Sequence, residues 1–190
     1  MSAFQPRPVI ATIYSGTAGG TGKSTLSANL AAYLSRYFPV LLVDLGIDNT
    51  YVSASLHSVN LAPGEVGAVE AWLAALNGSP RPLQPTVKPS AKVPRVYVMP
   101  PGSIAAKDIS KRSYSVRDAT VRLYSMITQQ AVLHRAPFAI IDTPAGIDVL
   151  SDLALFVGNI AVLVLNTSAV TTHIFDGIMA RVGKILSKKA

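Results

Sequence analysis

Short, wholly apolar runs alternate along this chain with longer stretches in which apolar residues return every three or four positions. Val9–Tyr14, Val40–Val43, Val96–Met99, Phe138–Ile141 and Ile160–Leu165 are rich in β-branched residues and lack polar alternation, the pattern of parallel strands covered on both faces. Between them, Lys23 to Arg36 carries Leu26, Leu30, Tyr33 and Leu34 at helical spacing. Glu65 to Leu76 does the same with Val66, Val69, Trp72, Leu73 and Leu76, and Ser115 to Leu133 with Val116, Leu123, Ile127 and Ala131. Strands alternating with helices predict an α/β fold: an open, mainly parallel sheet with helices on both faces. In such sheets ligands sit beyond the carboxyl ends of the strands, where Ser15, Asp44 and Asp142 fall.

Two stretches refine this pattern. Ser79 to Arg95 holds Pro80, Pro82, Pro85, Pro89 and Pro94, a density that excludes a helix or a central strand and predicts an exposed connection. Near the end, Ile174, Ile178, Val182, Ile185 and Leu186 form an apolar stripe with Arg181, Lys184, Lys188 and Lys189 off it, which predicts an amphipathic helix packed on the core.

The sharpest chemical signal follows the first strand: Ser15-Gly-Thr-Ala-Gly-Gly-Thr-Gly-Lys23-Ser24-Thr25. A buried strand that breaks into glycines and opens a helix at Lys-Ser-Thr is suited to polyphosphate. Backbone N–H groups line the loop, the lysine ammonium neutralises charge and the hydroxyl takes Mg²⁺. This places Ala18, Gly19, Gly20, Thr21, Gly22, Lys23, Ser24 and Thr25 in a candidate nucleotide site. No G-x-G-x-x-G dinucleotide fingerprint can be laid on these residues. Phe138-Ala-Ile-Ile-Asp142 ends an apolar strand in a carboxylate able to hold Mg²⁺ opposite Ser24, and the Thr143–Gly146 continuation can bring a backbone N–H to a terminal phosphate. Val40-Leu-Leu-Val-Asp44 has the same form, with Asp44 placed to orient an attacking water or a Mg²⁺ shell.

Composition narrows the class. A chain of 190 residues that is 49% hydrophobic fits one well-buried domain, 1–190. With no cysteine, disulfides, thiolate metal sites, iron–sulfur clusters and cysteine nucleophiles are excluded, and His57, His134 and His173 share no ligand spacing. The first residues lack the apolar core of a signal peptide, so a cytoplasmic location is expected, with association to nucleoid or membrane. Net charge is +7, and Arg81 to Arg135 holds ten basic residues against Asp108 and Asp118. That +8 segment suggests a polyanionic partner, either DNA or an anionic membrane surface.

Taken in order, the G-G-x-G-K-S-T loop, VLLVD ending at Asp44, Val96-Tyr-Val-Met-Pro-Pro-Gly102, FAIIDTPAGID from Phe138 to Asp148, and Ile160-Ala-Val-Leu-Val-Leu-Asn-Thr-Ser-Ala-Val-Thr-Thr resemble the MinD/ParA family of deviant P-loop ATPases. The resemblance implies ATP and Mg²⁺ as cofactors, Ser24 and Asp142 as metal-holding residues, Lys23 and Asp44 as catalytic ones, and slow hydrolysis within an ATP-dependent homodimer. It also implies a role in positioning cargo on a membrane or nucleoid. Three departures limit it. The family lysine before the Gly-Gly pair is Ala18 here; the aspartate two residues after Asp44 is Gly46, with Asp48 as a substitute; and the chain stops at Ala190, short of the family's further sheet and adenine-reading loop. The absence of cysteine removes the metal-dependent relatives, and no [NT]-K-x-D guanine motif follows Asp142, which leaves adenine. Two other classes stay open: a non-hydrolysing basic DNA-binding or scaffold relative, and a small P-loop kinase or synthetase.

Overall fold

Along Val40–Asp44 every residue is buried, and its side chains divide by parity between two cores. Leu41 and Val43 join Trp72, Leu123, Ile127 and Leu153, whereas Val40 and Leu42 meet Ala28 and Ala31 on the opposite side. This is the two-sided burial that an uninterrupted apolar strand predicts. The structure is a computed structural model and describes residues 7–16, 20–47, 51–78, 83–103, 114–146, 148–165 and 172–187.

The elements in chain order are β1 (Val9–Tyr14), α1 (Lys23–Leu34), β2 (Val40–Asp44), a π-helical turn (Tyr51–Leu56), α2 (Ala68–Leu76), β3 (Lys88–Pro89), β4 (Val96–Met99), α3 (Val116–Leu133), β5 (Phe138–Asp142), α4 (Val149–Val157), β6 (Ile160–Leu163) and α5 (Thr172–Ser187). They build one sheet in the order β3-β4-β2-β5-β1-β6, parallel throughout except for β3 against β4. Helix α1 covers one face, while α2, α3 and α4 cover the other. The indole of Trp72 lies in the core and donates its N–H to the Ala119 carbonyl at 3.0 Å, which ties α2 to α3. On α5, Ile178, Val182 and Ile185 close a third cluster over Tyr14 and Leu155, so this part of the apolar stripe is core.

Several details differ from the sequence reading. The proline-rich stretch contributes a two-residue antiparallel edge strand, β3, where a proline costs no ladder bond to a neighbour. Strand β6 is not buried as expected: it is an edge, and Ile160 is 50% exposed. Helix α4 falls in a segment for which no helix was read, and the π-helical turn was not foreseen either. Within the expected helix from Glu65, the regular part begins at Ala68. Among the described residues, no helix is long and apolar enough to cross a membrane.

Candidate functional site

Strand register brings three carboxyl ends together. Asp142 of β5 aligns with Asp44 of β2 on one side and with Ile13 of β1 on the other, so the end of β5 lies between them. Thr143 fixes the chain as it leaves the sheet, its hydroxyl donating to the Ile13 carbonyl at 2.8 Å. Asp142 is buried, and α1 supplies its polar partners. Ser24 Oγ donates to Oδ2 and Ser27 Oγ to Oδ1, both at 2.7 Å. Residues three apart share one helix face, which is how two hydroxyls of a single helix reach one carboxylate. Burial pushes the Asp142 pKa above the ordinary carboxylate range, and the two hydroxyls and the Lys23 charge oppose it.

Lys23 opens α1 and is buried. Loss of water lowers its pKa, while Asp142 and then Asp148 favour its charge. Gly20 and Gly22 have φ of 76° and 86°, and an added Cβ would meet nothing within 4 Å at either. Backbone conformation, not space, thus requires glycine at these two positions. Gly22 is also the cap of α1, which has no side-chain cap bond and no acidic residue in its first turn. The first N–H groups of the helix therefore lie at the positive end of the helix dipole with no side-chain acceptor among the described residues. Beside them, Thr21 Oγ1 is buried with no hydrogen-bond partner among the described residues. Orphaned donors, a buried ammonium and a hydroxyl–carboxylate pair are the donor set that a Mg²⁺-bound polyphosphate demands, and the residues present fit that group.

Asp44 is fully buried and both oxygens are engaged within its own connection. Oδ1 accepts from Gly46 N at 2.9 Å, and Oδ2 accepts from Ser53 Oγ at 2.7 Å and Ser53 N at 3.1 Å. Its carboxylate thus anchors the π-helical turn. Burial pushes its pKa to about 7, with the Ser53 hydroxyl opposing and the Asp142 charge adding. Thr25 is exposed on α1, and Gly146 is half-buried in the loop after β5. Ala18, Gly19, Asp48, Arg81, Lys107, Asp108, Lys111 and Arg112 lie outside the described residues.

Three contributors were missed in the sequence. Ser27 has a legible signal, a serine on the buried side of an apolar helix. Asp148 has another: Asp148-Val-Leu-Ser151 is an N-cap pattern, and the carboxylate accepts from Ser151 N at 2.8 Å and Ser151 Oγ at 3.0 Å. Burial raises the Asp148 pKa against those bonds. Ser53 carries no such signal. Of the ten basic residues in the +8 segment, six are described. Lys88 pairs with Glu65, Lys92 Nζ donates to the Ser55 carbonyl at 2.6 Å, and Arg117 and Arg122 lie exposed on α3.

A glycine turn from β1 into α1, with a lysine behind it and a strand-end aspartate beyond it in a parallel sheet, defines the class of P-loop NTPases. The sequence profile of the CobQ/CobB/MinD/ParA nucleotide binding domain matches residues 12–187, and the chain belongs to that family. Solved structures agree in fold. An ATP complex of a McdA variant from Cyanothece superposes with a TM-score of 0.74 at 15% identity, over 95% of this chain and 65% of that one. A plasmid partition protein from Borrelia burgdorferi gives 0.68 at 20%, over 94% and 75%. Cobyrinic acid a,c-diamide synthase from Mycobacterium smegmatis, with bound ATP analog and magnesium, gives 0.71 at 17%, over 95% and 69%. This chain therefore spans less than two thirds of McdA. No curated protein sequence matches it.

The buried Asp44 makes a prediction about pH. Its pKa lies near 7 in the fold and near 3.8 without it, so the folded state holds a proton that the unfolded state has released between those values. Its stabilising contribution is complete below about pH 4 and is lost as pH rises to about 7, at roughly 1.4 kcal/mol for each pH unit crossed. Asp44→Asn removes this titration. Urea unfolding across that window should show a shallower fall of stability with pH in the variant than in the wild type; parallel curves would mean that Asp44 ionises normally.

Proposed function

We propose that this chain is a Mg·ATP-binding, nucleotide-dependent positioning or partition factor of the MinD/ParA type, with slow ATP hydrolysis. The observation that carries the reading is the Ser24–Asp142 pair set beside the buried Lys23 and the uncapped start of α1. Support comes also from proteins of the same fold: a McdA variant solved as an ATP complex, a cobyrinic acid a,c-diamide synthase solved with an ATP analog and magnesium, and a plasmid partition protein. Residues 1–190 would form one nucleotide-binding domain.

In this reading, the Ala18–Thr25 loop and the first turn of α1 offer backbone N–H groups to phosphate oxygens, and Lys23 sets its charge against them. Ser24 and Asp142 hold Mg²⁺, and Gly146 lies in the loop that approaches the terminal phosphate. The metal, when bound, neutralises phosphate charge. Asp142 keeps Ser24 oriented, and Ser27 holds the other carboxylate oxygen in place. Slow turnover follows from what is missing around the reacting phosphate. Ala18 supplies no charge, Gly46 supplies no carboxylate, and Asp44 is shut away from water with both oxygens bonded. Stabilising charge on the transferred phosphoryl group is where such catalysis resides. The same closure of Asp44 favours a second reading, a relative that binds nucleotide without hydrolysing it and serves as a basic scaffold. An ATP-bound homodimer is part of the first reading and not of the second.

Charge-assisted hydrogen bonds contribute roughly 1.5–3 kcal/mol each, so Lys23→Ala should weaken Mg·ATP binding about ten- to a hundredfold by calorimetry. Wild-type affinity in that variant would remove Lys23 from the site. Steady-state phosphate release by the wild type should stay below about 1 s⁻¹, the low end for enzymes. Ala18→Lys combined with Gly46→Asp should raise it. Brisk wild-type turnover would show that Asp44 or Asp48 does the work assigned to the missing residues, and no turnover in either protein would favour the scaffold reading.

A further inference from the structure

Among the described residues, acidic side chains keep to one end of the strands. The connections that lead from a helix into the next strand, residues 35–39, 134–137 and 158–159 together with the whole 77–95 stretch, contain no Asp or Glu. Every described acidic side chain lies instead at a strand's carboxyl end, in the connection beyond it, or in the first half of a helix. At the amino edge the sheet order β4-β2-β5-β1 puts four neighbouring strands side by side, and each is preceded by an arginine: Arg95, Arg36, Arg135 and Arg7. All four are exposed, and none is in an ion pair among the described residues.

The same edge exposes aromatic rings. Tyr33, Tyr37 and Phe38 are 54%, 59% and 45% exposed. They form a continuous row that runs on to Phe138 at the start of β5, with centroids 6.0, 6.4 and 5.5 Å apart. Arg36 lies 5.7 Å from the Tyr33 centroid, and Arg95 donates to the Tyr37 carbonyl at 3.0 Å, which holds the row against the basic edge. Contiguous exposed apolar surface of this kind is uncommon unless it is used.

Geometry selects among polyanions. Bases stack on open, parallel ring faces. Here the rings meet at 64°, 46° and 52°, one pair edge-on and two tilted, so none is parallel to the next, and one side of Tyr33 is already taken by Arg36. Such a cluster enters an apolar medium as a unit. Tyrosine settles at the headgroup level of a bilayer, where its ring finds apolar surroundings and its hydroxyl stays wet, and a phenylalanine beside it adds apolar area. Arginine bonds phosphate through its planar fork, and basic groups are drawn to anionic lipid. We propose that this edge of the sheet docks on an anionic lipid surface, with Tyr33, Tyr37 and Phe38 in the headgroup layer and Arg7, Arg36, Arg95 and Arg135 on lipid phosphates. The candidate nucleotide site then faces away from the membrane, at the other end of strands of four to six residues. Docking of this edge does not depend on nucleotide binding.

Sedimentation of the full chain with vesicles tests it, using equal parts phosphatidylglycerol and phosphatidylcholine against phosphatidylcholine alone. The wild type should bind only the anionic vesicles. Tyr37→Ser with Phe38→Ser should weaken that binding at least tenfold, and Arg36→Gln alone should weaken it several-fold and lessen its loss in salt. Arg117→Gln on α3 should change nothing, and ATP affinity should be wild type in all three variants. The proposal is overturned if the wild type ignores anionic vesicles or if the aromatic variant binds them normally. It is equally overturned if the aromatic variant loses instead a concentration-dependent dimer or binding to single-stranded DNA, which would assign the surface to a second copy or to nucleic acid.

Discussion

A buried carboxylate has lost its water and must find hydrogen bonds within the protein or give up its charge. Asp142 finds them on α1, one hydroxyl for each oxygen, from Ser24 and Ser27. Those two bonds fix the rotation and height of α1 over the sheet. The helix begins at Lys23, so its start is held directly above the end of β5. The glycine turn between β1 and α1 then has both of its ends pinned, one by the sheet and one by Asp142. Removing either serine would leave a carboxylate oxygen short of a donor in a dry place, a costlier change than losing a surface bond.

Around that anchor the charges depend on one another. Lys23, Asp44, Asp142 and Asp148 all lose water, and each departs from its ordinary ionisation in the direction that burial dictates. Lys23 is favoured as a cation by Asp142 and Asp148. Asp44, next to Asp142 in the sheet, is instead pushed towards its neutral form and ties down the π-helical turn. A cation favoured by neighbouring carboxylates and an acid pushed towards neutrality beside them make an end of the molecule that fits a large negative ligand with its metal. Because β1, β2, β4, β5 and β6 are parallel, all of this gathers at one edge, and the opposite edge is left to arginines and aromatic rings.

Much of this could be read from the sequence, for a physical reason. Strands buried on both faces need uninterrupted apolar runs, so β1, β2, β4 and β5 stood out, as did the glycine turn and the two aspartates that end strands. Trp72 read as core because its helical neighbours are apolar, and it is core. Helix α4 has nine residues, as α2 does, and was passed over although Asp148-Val-Leu-Ser151 marks its N-cap. Most of the remainder is set by tertiary context. The edge strand β3 exists only because β4 offers it a partner. The exposure of β6 depends on its place in the sheet order and not on its composition. Ser53 is an ordinary serine until the fold sets the Asp44 carboxylate against it. The basic segment suggested a polyanionic partner, and among its described residues Lys88 and Lys92 spend part of that charge inside the chain.

If Asp142 serves a metal as well as holding α1, the magnesium dependence of ATP affinity separates the two roles. Calorimetry with and without Mg²⁺ should show a gain of about tenfold or more from the metal in the wild type, the size of one good charge-assisted contact. Asp142→Asn, which still offers an oxygen to one serine, should bind ATP with the wild type's metal-free affinity and gain nothing from Mg²⁺. A variant that keeps the full magnesium effect would contradict the metal role and leave Asp142 as a helix anchor alone.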